Sequence, residues 1–309
     1  MTYPPKVSVV IPAHNRAYIV GRAIRSVVAQ TFREWELIVV DDGSVDDTQR
    51  IAKAFGEPRI RYLRHARRRG PSAARNTGIH AARGAYVSFL DSDDEWFEGK
   101  LASEVALFES AGERVGLVYT GKMLVDEHER LHMVRMPRVE GRVHGELLEW
   151  DFIGSCSRVS VRKSVLDSVG GFDETLDLCE DWDLWLRVAK VTQVGCVRET
   201  LVKRHLGSDQ VSGSLRAICA GKVRLVERHS RDMSPRVLGN HLGTLAILLG
   251  NYDRQRAWRM ALEGLKLHWF QPGVFAALTA SLLGRGPYRF LFSKWSRRWH
   301  GLYIGRAAI

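Results

Sequence analysis

Four residues, Asp91-Ser92-Asp93-Asp94, directly follow the apolar run Val87-Ser88-Phe89-Leu90. In an extended chain, residues i and i+2 point the same way, roughly 7 Å apart along the strand. Where the chain tightens at the strand end, Asp91 and Asp93 converge on one cation. Mg²⁺ and Mn²⁺ take oxygen ligands of this kind, and a diphosphate would complete the shell. Carboxylates held together repel one another, and a bound cation offsets that cost. A second acidic turn, Asp41-Asp42-Gly43-Ser44, ends the apolar run 35–40. Its carboxylates suit a base N–H or ribose hydroxyls, or equally the cap of the next helix. After the run 7–11 come Pro12-Ala13-His14-Asn15-Arg16. Pro12 directs the chain out of the sheet, and the amides and guanidinium there suit a base or phosphate. Arg75-Asn76 offers a further contact of that type.

The elements that must position these groups alternate. Strands are predicted at 7–11, 35–40, 60–63 and 85–90, and helices at 16–30, 46–55 and 70–82. A β-α-β-α-β-α-β order predicts a mostly parallel sheet with helices on both faces, an α/β fold whose ligands bind beyond the carboxyl ends of strands. All three polar segments fall there. Past residue 95 the rhythm changes. Strands are predicted at 115–119, 157–161 and 193–197, with a hairpin or loop across 123–143. Helices are predicted at 163–169 and 180–190. From about Leu215 the chain reads as helices separated by Gly and Pro.

The chain has 309 residues, 45% hydrophobic and 26% charged, a balance ordinary for a soluble globular protein. Its four cysteines form no CxxC pair, which argues against a structural zinc site and for reduced thiols in a cytosolic protein. No signal peptide is evident, and no apolar run reaches the ~18–20 residues of a spanning helix. The net charge of +11 is unevenly placed. Residues 203–309 carry 18 Lys+Arg against 5 Asp+Glu, a net of +13, while 1–202 carry a net of −2. A basic C-terminal third points to an anionic partner.

The motifs together resemble glycosyltransferase family 2, inverting enzymes of GT-A fold. The matching stretches are Val7 to Arg16, Val39 to Thr48, Gly70 to Gly78 and Leu90 to Asp94. Later come Val169-Gly170-Gly171-Phe172-Asp173-Glu174 and Glu180-Asp181-Trp182-Asp183-Leu184-Trp185. The resemblance covers roughly residues 5–215. It implies that Ala13 and Arg16, with Pro12 and Asn15 beside them, contact the nucleotide, and that Asp41 or Asp42 reads the base. Arg75 touches the nucleotide-sugar, and Asp91 and Ser92 meet it at the DxD. Asp93, with Asp91, holds Mn²⁺ or Mg²⁺, and His205 lies near the metal and diphosphate. Asp181 is the implied catalytic base. Gly171, Glu180 and Trp182 are expected on the acceptor side, with Trp182 and Trp185 excluding water or stacking on a sugar.

Inversion by direct displacement needs a deprotonated hydroxyl, a stabilised leaving group and an in-line geometry. Asp181 and the DxD supply the first two. The expected reaction moves a sugar from a nucleotide-diphosphate sugar, UDP-hexose by the family's habit, to a glycan or lipid-linked hydroxyl in cell-surface polysaccharide or glycolipid synthesis. Two other classes compete: a nucleotidyltransferase that makes nucleotide sugars, and a non-catalytic nucleotide-binding protein. The first would need a glycine-rich, lysine-containing loop after the first strand, which Pro12 to Arg16 is not. Expected organisation is a catalytic domain over 1–214, with a nucleotide-sugar half to about 95, and a helical basic region over 215–309. Within the latter, Tyr288, Phe292, Trp295 and Trp299 interleave with Arg289, Lys294, Arg297 and Arg298. Such a helix either lies on anionic membrane or packs on the catalytic domain. The expected location is cytoplasmic, peripheral on the inner membrane face, with no nucleic-acid partner.

Overall fold

The computed structural model describes residues 4–206, 215–250, 253–271, 273–276 and 278. These divide into two compact units, one of residues 4–175 and 180–206, the other of 176–179 and the helices from 215 onward.

The first unit is built on one sheet. β1 (Val7–Ala13), β2 (Trp35–Asp41), β3 (Ile60–Arg64) and β4 (Tyr86–Phe89) are parallel, joined by α1 (Val20–Val28), α2 (Thr48–Lys53) and α3 (Pro71–Ala81). β5 (Asp94–Trp96) and α4 (Lys100–Ala111) follow. The sheet continues with β6 (Val115–Val125), β7 (Leu131–Arg135), β8 (Val159–Arg162) and β9 (Gln193–His205). Between these lie α5 (His144–Glu149), α6 (Lys163–Val169) and α7 (Glu180–Val191). Strand order is β3-β2-β1-β4-β8-β6-β9-β5, with β7 on β6. Both faces of the parallel half are covered. Val7, Val9 and Ile11 pack with Ile24 and Val27 of α1 and with Phe108 of α4, while Val10 meets α3. Burial on both faces is why these strands read as unbroken apolar runs.

Three departures from expectation bear on the site. The first helix starts at Val20 rather than residue 16, because residues 15–17 donate their backbone N–H groups to Ser44, Thr48 and Asp46 instead of entering a helix. The last strand runs on to His205, since β9 keeps pairing with β6 on one side and β5 on the other. The segment 123–143 is a hairpin in part: β7 returns along β6, and Asp126 Oδ1 shapes the turn by accepting from the N–H groups of His128 and Arg130.

The second unit contains α8 (Leu215–His229), α9 (Pro235–Leu249) and α10 (Arg254–Leu267). Asp253 caps α10 by accepting from Arg256 N–H at 2.9 Å. No helix among the described residues is long and apolar enough to cross a membrane. The aromatic, basic segment 285–303 lies outside the described residues.

α3 carries Arg75 and Asn76, and Gly78 sets its distance from the sheet. A Cβ there would lie 2.3 Å from Val10 Cγ1, an overlap the stiff central strand does not absorb. Gly78→Val is expected to lower stability by about 1–3 kcal/mol, read from urea unfolding midpoints.

Candidate active site

The loop after β1 and the loop after β2 are laced together. Asn15 sits in the left-handed region (φ 52°), which Asn tolerates. Its side-chain oxygen accepts from Val45 N–H at 2.9 Å, and His14 Nδ1 reaches the Asp42 carbonyl at 2.9 Å. Pro12 is half-buried, Ala13 buried, and Arg16 half-buried with Nη1 on the Tyr18 hydroxyl.

Both acids of the Asp41-Asp42 turn are occupied. Asp41 is fully buried; it accepts from Ser44 N–H at 2.7 Å and from the Tyr62 hydroxyl. Asp42 accepts from the backbone N–H of Arg69 and Gly70 and meets His65 Nδ1 at 2.7 Å. These carboxylates pin the chain after β3 to the end of β2. Gly43 (φ 72°) is needed because a Cβ would lie 2.8 Å from the backbone at Arg67 and Arg68.

Asp91, Asp93 and Asp94 converge, one oxygen of each within 4.8 Å of the others. Ser157, itself fully buried, ties the turn: its hydroxyl accepts from Asp91 N–H at 3.0 Å and donates to Asp94 Oδ2 at 2.6 Å. Arg22 of α1 holds the Asp93 carbonyl at 2.8 Å from the other side. Ser92 is buried. Burial, then the charge of Asp93, pushes the Asp94 carboxyl up to about 8. Burial, then Asp91, raises Asp93 as well. Asp94 Oδ1 is buried without a hydrogen-bond partner. A set of hard oxygen donors, mutually repelling and with one orphaned oxygen, fits a divalent cation.

Arg75 joins this cluster to α7. Its Nη2 lies 2.8 Å from Asp91 Oδ1 and its Nη1 3.0 Å from Glu180 Oε1, with the side chain only 7% exposed. Burial opposes the charge, and the carboxylates of Asp91 and Glu180 overcome it. Asp181, next to Glu180 on the first turn of α7, is pushed well above the usual carboxylate range by desolvation, then by the charges of Glu180 and Asp151.

Several expectations are corrected by this geometry. His205 does not join the Asp91–Asp93–Asp94 group; it lies with Glu95 (Nε2 to Oε1, 2.6 Å) and Glu129. Strand alternation is the reason. Arg204 pairs with Asp94 across β9 and β5, so the next residue along β9 points to the opposite face. Arg204 is the residue that feels Asp94, Asp91, Asp93 and Asp181 together, and a strand extended to 205 with period-2 counting would have found it. Trp182 is 5% exposed and donates Nε1–H to the Leu147 carbonyl at 2.8 Å, and Trp185 is fully buried. Both rings anchor α7 and leave no face for a sugar. Gly171 (φ 69°) is buried against Asn76, whose Oδ1 would lie 2.6 Å from a Cβ there. It lets Asn76 bond both N–H and C=O of Phe172, so its role is to dock this turn on α3. Ser157 and Arg22 carried no motif in the sequence.

The fold is GT-A: a mannosyltransferase from Pyrobaculum calidifontis, solved with GDP-Man and Mn²⁺, superposes with a TM-score of 0.61 at 19% identity, covering 99% of this chain and 89% of that one. The family model for glycosyl transferase family 2 matches residues 8–169, and the chain belongs to that family. An uncharacterised glycosyltransferase of Rickettsia bellii is 30% identical over 233 residues, 70% of this chain; the chain spans about a third (32%) of that relative's length. A UDP-Glc:α-D-GlcNAc-diphosphoundecaprenol β-1,3-glucosyltransferase of Escherichia coli is 28% identical, over 62% of this chain and 72% of the relative.

Removing Arg75 leaves two carboxylates facing each other in a half-dry site. Arg75→Met is expected to cost about 3 kcal/mol, the low end for breaking a buried pair because both acids are partly exposed. Arg75→Lys should recover little, since an ammonium does not span two carboxylates as a fork does. Denaturant midpoints measure both.

Proposed function

We propose that this chain is a hexosyltransferase moving a sugar, with inversion, from a nucleotide-diphosphate sugar to a hydroxyl of a glycan or lipid-linked acceptor. The observation that carries the reading is the Arg75 guanidinium, which binds Asp91 of the carboxylate cluster and Glu180 beside Asp181 at once. Donor end and base are thereby set at fixed separation, as in-line displacement requires.

The laced loops at Pro12–Arg16 and Asp41–Ser44 form the nucleotide's seat. Ala13, Asn15 and Arg16 supply contacts directly. Asp41 and Asp42 act by holding the turn on which the base rests. Asp91, Asp93 and Asp94 would hold Mn²⁺ or Mg²⁺. A divalent cation supplies, when bound, Lewis-acid stabilisation of the departing diphosphate. Arg204 adds fixed positive charge beside that group. Asp181 takes the acceptor hydroxyl's proton, and its raised pKa makes it a stronger base than an ordinary carboxylate. A UDP donor and an undecaprenyl-diphosphate-type acceptor are supported by the name of the Escherichia coli relative. A lipid-linked acceptor and the net charge of +13 over residues 203–309 favour a peripheral place on the cytoplasmic membrane face. The working division is a catalytic part to about residue 214 and a basic helical part beyond it.

Asp181→Asn should cut kcat by about 10²–10⁴-fold while donor-induced thermal stabilisation persists; near-normal turnover removes Asp181 from this role. In wild type, kcat/KM should rise with pH as Asp181 loses its proton. Glu180→Gln removes a charge that raises Asp181, so the rising limb should move to lower pH. Mn²⁺ at a hundredfold excess over its Kd should stabilise the wild type by about 2.7 kcal/mol. In calorimetric scans Asp93→Asn should lose most of that shift, and an undiminished one would count against the cation site.

A further inference from the structure

Beyond the donor end, positive charge gathers where the proposed chemistry does not yet use it. Lys122 of β6 is 7% exposed and lies opposite Arg135 in the β6–β7 register, so both side chains rise from the same sheet face. Arg158, fully buried, joins them. A Cβ at Gly154 would lie 3.7 Å from Arg158 Nη1 and 3.9 Å from Lys122 Nζ, and Gly154 sits at φ 74°. The loop 151–155 therefore closes over two cations with bare backbone. Three donors there are unspent. Among the described residues no hydrogen bond or ion pair reaches the Lys122 ammonium, and Arg158 Nη2 and Ser155 Oγ are buried without partners. Two carboxylates act on this corner: Asp151, which already accepts from Gly154 N–H at 2.8 Å, and Asp94 of the acidic cluster.

Lys122 and Arg158, brought together in a half-dry corner, repel one another, and an arriving anion offsets that cost. An ammonium, a guanidinium edge and a hydroxyl match the several acceptor oxygens of a phosphate. The corner also borders the base: Lys122 acts on Asp151, and Asp151 acts on Asp181.

We propose that Lys122, Arg158 and Ser155, with Arg135 alongside, form a subsite for a phosphate or diphosphate carried by the acceptor. The proposal rests on the reading of Asp181 as the acceptor's base. It holds the acceptor sugar by its phosphate while the sugar's hydroxyl faces Asp181. A lipid-linked diphosphate and a soluble sugar phosphate share this chemistry.

Calorimetric titration of the full chain with inorganic phosphate, and separately with farnesyl diphosphate, tests it. EDTA keeps metal from Asp91 and Asp93. Both ligands should bind the wild type. Lys122→Met, similar in length, should weaken both at least tenfold, and Lys122→Arg should keep affinity within about threefold. Farnesyl diphosphate binding tenfold tighter than phosphate assigns the lipid-linked source, and equal binding a soluble one. Equal phosphate affinity in wild type and Lys122→Met overturns the subsite, as does absence of binding to wild type. The base is tested apart: full turnover by Asp181→Asn with phosphate binding still lost in Lys122→Met sinks the base and leaves the subsite.

Discussion

A buried arginine shared by two acids from distant parts of the chain organises this site. Arg75 comes from a helix after the third strand, Asp91 from the end of the fourth, and Glu180 from the start of α7, about 90 residues later. Desolvating a guanidinium costs several kcal/mol unless carboxylates surround it. Desolvating Asp91 and Glu180 is tolerable only with that guanidinium between them. Each charge is therefore a condition for the others, and the three elements cannot drift apart without stranding one. Phe172 lies under the guanidinium, 5.3 Å from its ring centre, and Asn76 clamps the backbone of that same residue.

Around this contact the site is a balance of like charges held close. Asp94 at about 8 and the raised Asp93 record how poorly water reaches the cluster. Ser157 and Arg22 grip its backbone and one carboxylate, so the repulsion cannot relax by splaying the turn. Preorganised, under-compensated charge of this kind stabilises charge that develops elsewhere in a reaction. About Asp151 the sign reverses, with Arg158, Lys122 and Arg135 acting on it. The two excesses meet at Arg204, which answers to both Asp94 and Asp181.

Much of this is legible in the sequence. The four parallel strands, their helices and the three polar strand ends follow from apolar runs and turn residues, because both signals are local. The convergence of Asp91 with Asp93 followed from the i, i+2 rule at a strand end. What the sequence does not show is of one kind. The resemblance puts His205 near the metal, but pairing with β5 and β6 extends the strand, and alternation hands the carboxylate face to Arg204. Of the two expectations for Trp182, excluding water or stacking on a sugar, its burial is at odds with stacking, since its indole N–H finds the Leu147 carbonyl inside the protein. Gly171 has a packing role the sequence does not show: its bare Cα makes room for Asn76.

The sequence by itself determined the class of the protein: the order of strands and helices, the acidic turns at their ends, and membership of glycosyl transferase family 2. These are set by periodicity and by short contiguous motifs, which carry their own geometry. Tertiary structure alone decided which charges meet. Arg75 with Glu180, Ser157 with Asp94 and Lys122 with Arg158 lie 105, 63 and 36 residues apart in the chain. Such pairs form only when strand register and helix packing bring them together. Electrostatic energy depends on distance and burial, neither of which one residue's neighbours in sequence can specify.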